Sequence, residues 1–177
     1  MKGNFEKQFF TQYQPKILGI RELENNVFEA KLEIEQEGFT YKIMNLLISF
    51  DGLNRPYFID CLGENLEDFT ISNTDNLTFL YSKKVQRNDS LEQKMVIFNE
   101  IMANLFELPQ KKISVIVLKN LKDYSELLGY NCMTFLTSDG QTGGIAMPEE
   151  GILLSANNSP YYPHELVHLY TADFDAH

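Results

Sequence analysis

Residues 27–35 read VFEAKLEIE, and the strictness of their alternation limits the possible folds more than any other stretch. Phe28, Ala30, Leu32 and Ile34 fall on one side while Glu29, Lys31, Glu33 and Glu35 fall on the other, the period-two signature of a half-buried strand. After Gln36-Glu37-Gly38 the chain resumes with FTYKIMNLLISF at 39–50, and Gly38 supplies the positive φ of a short hairpin turn. Further strand-like pieces follow at Arg55–Cys61, Phe69–Ser72 and Leu77–Tyr81. This stretch reads as an antiparallel β meander or curled sheet.

The period changes at Ser90. From there LEQKMVIFNEIMANLFEL carries Met95, Phe98, Ile101, Met102 and Leu105 at spacings of three and four, which predicts a long amphipathic helix with Ser90 as N-cap and Pro109 as its stop. KISVIVLK, around 111–119, is a β-branched run short enough for a buried strand, and a helix over Asn120–Leu128 ends at Gly129. Thr137–Gly144 is rich in turn residues, and GIAMP and GILLS flank Glu149-Glu150-Gly151 as a second hairpin. Ser159-Pro160 and Pro163 then open a terminal helix, where proline in the first turn loses no intrahelical hydrogen bond. The expected fold is α+β: a β-rich region over 1–75, then a mixed sheet with helices over 76–177.

A formal net charge of −10 gives the molecule a field that repels phosphate backbones and anionic lipid, which disfavours nucleic acid as a partner. Lys83-Lys84 and Lys111-Lys112 are the densest basic clusters, the size of ordinary solvated faces. No apolar run approaches the roughly 20 residues of a membrane span, and no hydrophobic segment of a signal peptide follows Met1-Lys2-Gly3-Asn4. Cys61 and Cys132 match no close-spaced metal or redox pattern, and buried free thiols are the expectation for both.

The chemistry concentrates in HELVH, residues 164–168. On a helix, positions i and i+4 share a face, so His164 and His168 can direct imidazole nitrogens at one point, with Glu165 beside them. That arrangement suits two histidines holding Zn²⁺ while the glutamate takes a proton from water that the metal acidifies. The plain alternative is a pair of surface histidines on a solvated helix face.

From Leu77 onward the order is LTFLYSKK, a long helix, KISVIVLKN, a short helix ending in LLGY, TGGIAMPEEGILLS and then YYPHELVHLYT. This order resembles the N-terminal subdomain of gluzincin-type zinc metallopeptidases, the peptidase MA-like families, over residues about 77–172. The resemblance implies His164 and His168 as zinc ligands, Glu165 as general base and a peptide or protein substrate. It also implies that Gly144, Ile145, Ala146 and Met147, or their hairpin partner Ile152–Ser155, form a cleft rim along which an extended peptide lies by β-augmentation. It tilts the location slightly towards outside the cytoplasm.

The chain departs from that pattern in lacking the later helix from which gluzincins take a third, glutamate ligand and the downstream tyrosine or histidine that stabilises the oxyanion. A catalytic zinc site has three protein ligands plus water. The metzincin spacing is not met, since Thr171 stands where that pattern has glycine and Phe174 where it has histidine. Asp173, Asp175 and His177 are expected to be solvated groups of a fraying terminus. The reading is therefore of an inactive fragment cut just after the motif helix.

Two other readings stay open. In one, the β-rich region binds a protein or glycan through aromatics such as Tyr41, Tyr57 and Phe58, and the HELVH helix is degenerate. In the other, Cys132 is a nucleophile, although NCMTF lacks the context that lowers a thiol pKa.

Overall fold

The computed structural model describes residues 14–36, 38–59, 61–66, 68–133 and 141–172. The fold is α+β, as expected, with two sheets. The described residues form two compact units, divided after Asn65, with residues 125–133 returning to the first. The expected boundary at 75/76 would separate two hydrogen-bonded strands. Thr70–Asn73 pairs with Leu77–Tyr81, so the second sheet starts before that point.

The first unit is an antiparallel sheet of β1 (Gln14–Glu22), β2 (Phe28–Gln36), β3 (Phe39–Phe50) and β4 (Pro56–Ile59), in that order. The alternation of VFEAKLEIE is realised in β2, where Ala30 and Ile34 are buried and Glu29 and Glu33 pair with Arg21 and Lys16 on the opposite face. Gly38 has φ +81°, which a side chain would strain. β3 is long enough to share its far edge, taking β4 along 47–50 and β8 (Tyr130–Met133) along 42–44. β1 was not legible, because Pro15 and Gly19 interrupt its sequence and a register shift between Ile17 and Gly19 breaks its alternation. Cys61 belongs to a short helix, α1 (Cys61–Asn65), rather than to the end of a strand.

The second unit is a mixed sheet in the order β5-β6-β7-β10-β9. β6 (Leu77–Tyr81), β7 (Ile113–Val117) and β10 (Ile152–Ala156) are parallel, while β5 (Thr70–Asn73) and β9 (Gly143–Met147) are antiparallel edges. β5 and β6, read from sequence as part of the first meander, are therefore in this sheet. Helix α2 (Asp89–Leu105) connects β6 to β7, and its N-cap is Asn88, whose side chain accepts from the Leu91 amide at 3.1 Å. Asn88, rather than Ser90, has the extended backbone and the acceptor that capping requires. Helix α3 (Leu121–Leu127) ends before Gly129, at φ +77°. Among the described residues no helix is long and apolar enough to cross a membrane.

The main core cluster lies on one face of this sheet, while Ile116 of β7 and Leu154 of β10 are buried on the other. Alternate residues Leu77, Phe79 and Tyr81 of β6 and Ile113, Val115 and Val117 of β7 meet Met95 and Met102 of α2 and Leu166, Leu169 and Tyr170 of α4 (Pro163–Thr171). Two buried polar networks cross it. Glu92 accepts from Ser72 Oγ at 2.9 Å and Tyr81 Oη at 2.8 Å and pairs with Arg87 at 3.1 Å, tying β5 and β6 to the first turn of α2. Burial, and then the Glu92 carboxylate, push the Tyr81 phenol well above its ordinary range.

The second network fixes the helix that carries HELVH. Tyr170 Oη donates to Asn99 Oδ1 at 2.7 Å and accepts from the Lys111 amide at 3.1 Å, while Lys111 Nζ donates to the Leu169 carbonyl at 2.7 Å. That ammonium sits at the C-terminal end of α4, where the helix dipole favours a cation. Tyr170→Phe keeps the ring but leaves a buried carbonyl oxygen and an amide unsatisfied, which costs about 1–3 kcal/mol. Urea unfolding should show that loss in Tyr170→Phe, and an unchanged midpoint would mean that the network does not anchor α4.

Candidate metal centre

The loop between β10 and α4 is built by its own side chains. Asn157 Oδ1 accepts from the Ser159 amide at 3.1 Å, Ser159 Oγ accepts from the Tyr161 amide at 3.1 Å, and Ser155 Oγ lies 2.6 Å from the Ser159 carbonyl. Asn158 takes φ +60°, a conformation asparagine tolerates better than most residues. These bonds set where α4 begins. Pro163 occupies its first turn, and Tyr162 stands at the N-cap with no side-chain capping bond.

α4 divides its positions by the helical period. Leu166, Leu169 and Tyr170 enter the core, so His164 and His168 are turned outward and both are exposed. Their Nε2 atoms converge to 3.2 Å, with the rings 4.8 Å apart and nearly perpendicular. Two nitrogens bound tetrahedrally to one zinc at about 2.0–2.1 Å lie about 3.3 Å apart, so this spacing fits a shared metal ion. The same spacing also fits one imidazole N–H donating to its neighbour, the choice depending on the tautomer.

Glu165 is buried to 8% exposure, and its Oε1 lies 3.8 Å from His164 Nε2. That places the carboxylate beside the converging nitrogens at a distance suited to a group that hydrogen-bonds a molecule held there. The three motif residues are thus brought together as expected. Among the described residues no group of three or more histidine, cysteine or carboxylate side chains is arranged to hold a metal. Asp173, Asp175 and His177 lie outside the described residues, as do the side chains of Cys61 and Cys132.

β9, carrying Gly144, Ile145, Ala146 and Met147, is the edge strand next to α4. Its two faces are distinguished by what they meet. Ala146 packs against the core on the α4 side, and Gly144 shares that side. A Cβ built on Gly143 would lie 3.0 Å from Leu121 of α3, on the opposite side. Ile145 is also on that side and is 39% exposed.

At Gly144 a Cβ would lie 2.0 Å from Tyr162 Cε1 and 2.8 Å from the Leu154 carbonyl oxygen. The tyrosine ring therefore rests directly on the strand backbone, and only glycine leaves room for it. The ring centre is 6.5 Å from that of His164. Burial, and then the Glu165 charge, raise the Tyr162 phenol above its ordinary value, so it is protonated at neutral pH. Sequence reasoning passed over Tyr162, although the glycine pair inside an otherwise apolar strand was a signal that something approaches closely there.

Comparison with protein-family models, with curated proteins and with solved structures finds no match for this chain.

Gly144→Ala has to displace the Tyr162 ring or distort β9, and overpacking of that kind costs about 1–3 kcal/mol. Tyr162→Ala in the same chain should recover part of the loss but not all, because the Leu154 carbonyl remains in the way. A double-mutant cycle by chemical denaturation tests this, and strictly additive changes would show that the two residues do not touch.

Proposed function

We propose that this chain carries the catalytic helix of a zinc-dependent metallopeptidase and that its substrate is an extended peptide. The observation that supports the reading best is the convergence of His164 and His168 Nε2 to 3.2 Å, the spacing of two ligands on one tetrahedral ion. Zinc, when bound, polarises a carbonyl and makes water acidic at neutral pH. His164 and His168 would hold the ion, and a third histidine or carboxylate ligand from outside the described residues would have to complete the site. Glu165 Oε1 takes the proton of the attacking water and passes it to the departing amine, its burial keeping competing solvent from the carboxylate. Among the described residues no strand pairs with the outer edge of β9, and its backbone groups there would let a peptide strand add and bring the scissile bond beside α4.

A second reading, a protein- or glycan-binding module, draws on the first unit. Tyr57 is 51% exposed and Phe58 70%, whereas Tyr41 is half-buried. Consecutive residues of a strand point to opposite faces, so Tyr57 and Phe58 do not share one platform, and this reading has the weaker support.

Equilibrium dialysis against zinc separates the two readings. In a protein that also supplies the third ligand, one zinc per chain is expected and is lost in His164→Ala and His168→Ala, and such a protein binding no zinc would sink the metallopeptidase reading. Glu165→Gln should retain zinc while hydrolysis of an unfolded substrate such as casein falls by about 10²–10⁴-fold, the usual contribution of a general base. Hydrolysis unaffected by that substitution would remove Glu165 from its role.

A further inference from the structure

The charged face of the first unit holds a cavity that its own side chains leave unfilled. Antiparallel register sets Gly19 of β1, Lys31 of β2 and Asn45 of β3 in one row across the three strands. Cross-strand partners share a face, so all three border the same surface. Gly19 brings no side chain to that row, and a Cβ built there would meet nothing within 4 Å. Beside it, the register shift between Ile17 and Gly19 displaces Leu18 from the regular alternation. The result is a cavity of about 350 Å³ whose lining includes Leu18, Gly19, Arg21, Glu29, Lys31 and Asn45. Its volume is in the range of small-molecule sites.

The charges around it are not balanced. Glu29 is gripped through both oxygens by Arg21, at 2.9 and 3.0 Å, and Glu33 pairs with Lys16 at 3.6 Å. Lys31 stands between those two glutamates on β2, half-buried, and makes no hydrogen bond or ion pair among the described residues. A half-buried ammonium gives up hydration and here gains no protein partner in return, so an anion bound beside it is favoured. We propose that this cavity binds a small aliphatic monocarboxylate, its carboxylate on the Lys31 ammonium and its apolar part against Leu18. Among the lining residues Arg21 and Glu29 cancel, which leaves Lys31 as a single positive charge for a single negative one. A multiply charged phosphate would instead meet Glu29, Glu33 and the field of a chain with net charge −10. A free organic acid and the C-terminus of a peptide share the required chemistry. The cavity belongs wholly to the first unit, and neither zinc nor α4 takes part.

The test is calorimetric titration of the full chain with hexanoate, N-acetyl-leucine, its uncharged amide N-acetyl-leucinamide, and inorganic phosphate. Lys31→Gln removes the ammonium, and Gly19→Val fills the gap with a side chain suited to a strand. Lys31 makes no polar contact and Gly19 has open space above it, so the urea midpoints of both variants should match the parent. Hexanoate, N-acetyl-leucine or both are expected to bind the parent, while the amide and phosphate do not. Affinity should fall at least about tenfold in Lys31→Gln, the effect of losing one charge-assisted hydrogen bond, and binding should disappear in Gly19→Val. Binding of hexanoate alone supports the proposal with free acids as the source, and binding of N-acetyl-leucine alone supports it with chain ends. The proposal is overturned if neither carboxylate binds the parent, if the amide or phosphate binds as tightly as the acids, or if either variant binds like the parent.

Discussion

Burial of Leu166, Leu169 and Tyr170 against the sheet is the constraint on which the candidate site depends. A helix turns about 100° per residue, so fixing those three inward leaves no freedom for His164 and His168, which must face out together. The phenol of Tyr170 and the ammonium of Lys111 then prevent rotation and sliding, because each contacts a specific polar atom rather than a general apolar surface. An apolar stripe alone would tolerate small displacements. Hydrogen bonds at 2.7 Å with defined directions tolerate much less.

The opposite end of the same helix is fixed by different means. There the Asn157 and Ser159 side chains define a turn, Pro163 presets the first helical residue, and the Tyr162 ring presses on a bare stretch of β9. With both ends held, the distance between the two imidazoles and the edge strand is a property of the scaffold rather than of a loop. The proposed reading depends on that relationship, because small misplacements of reacting groups cost large factors in rate.

Several parts of this arrangement were legible in residues alone. The two-residue period of 27–35, the switch to a helical period near residue 90 and the spacing of HELVH all follow from local geometry, which each stretch of chain carries with it. β1 was hidden because a bulge spoils alternation, and the assignment of β5 and β6 was hidden because strand partners are chosen by long-range pairing, not by pattern. The domain border moved for the same reason. A run that alternates can join either of two sheets, and local sequence does not distinguish them.

For the site, the sequence by itself determined that two histidines and a glutamate share a helical turn, since i to i+4 proximity needs nothing beyond helix geometry. It also determined where that helix could start, through Pro163. Only the tertiary structure decided that the imidazoles face outward while Glu165 is buried beside them, because that depends on which side of α4 meets the sheet. It alone decided, too, that Tyr162 lies on Gly144. Those residues are eighteen apart along the chain (162 − 144 = 18), and only the β9-β10 hairpin and the turn after it bring them within contact.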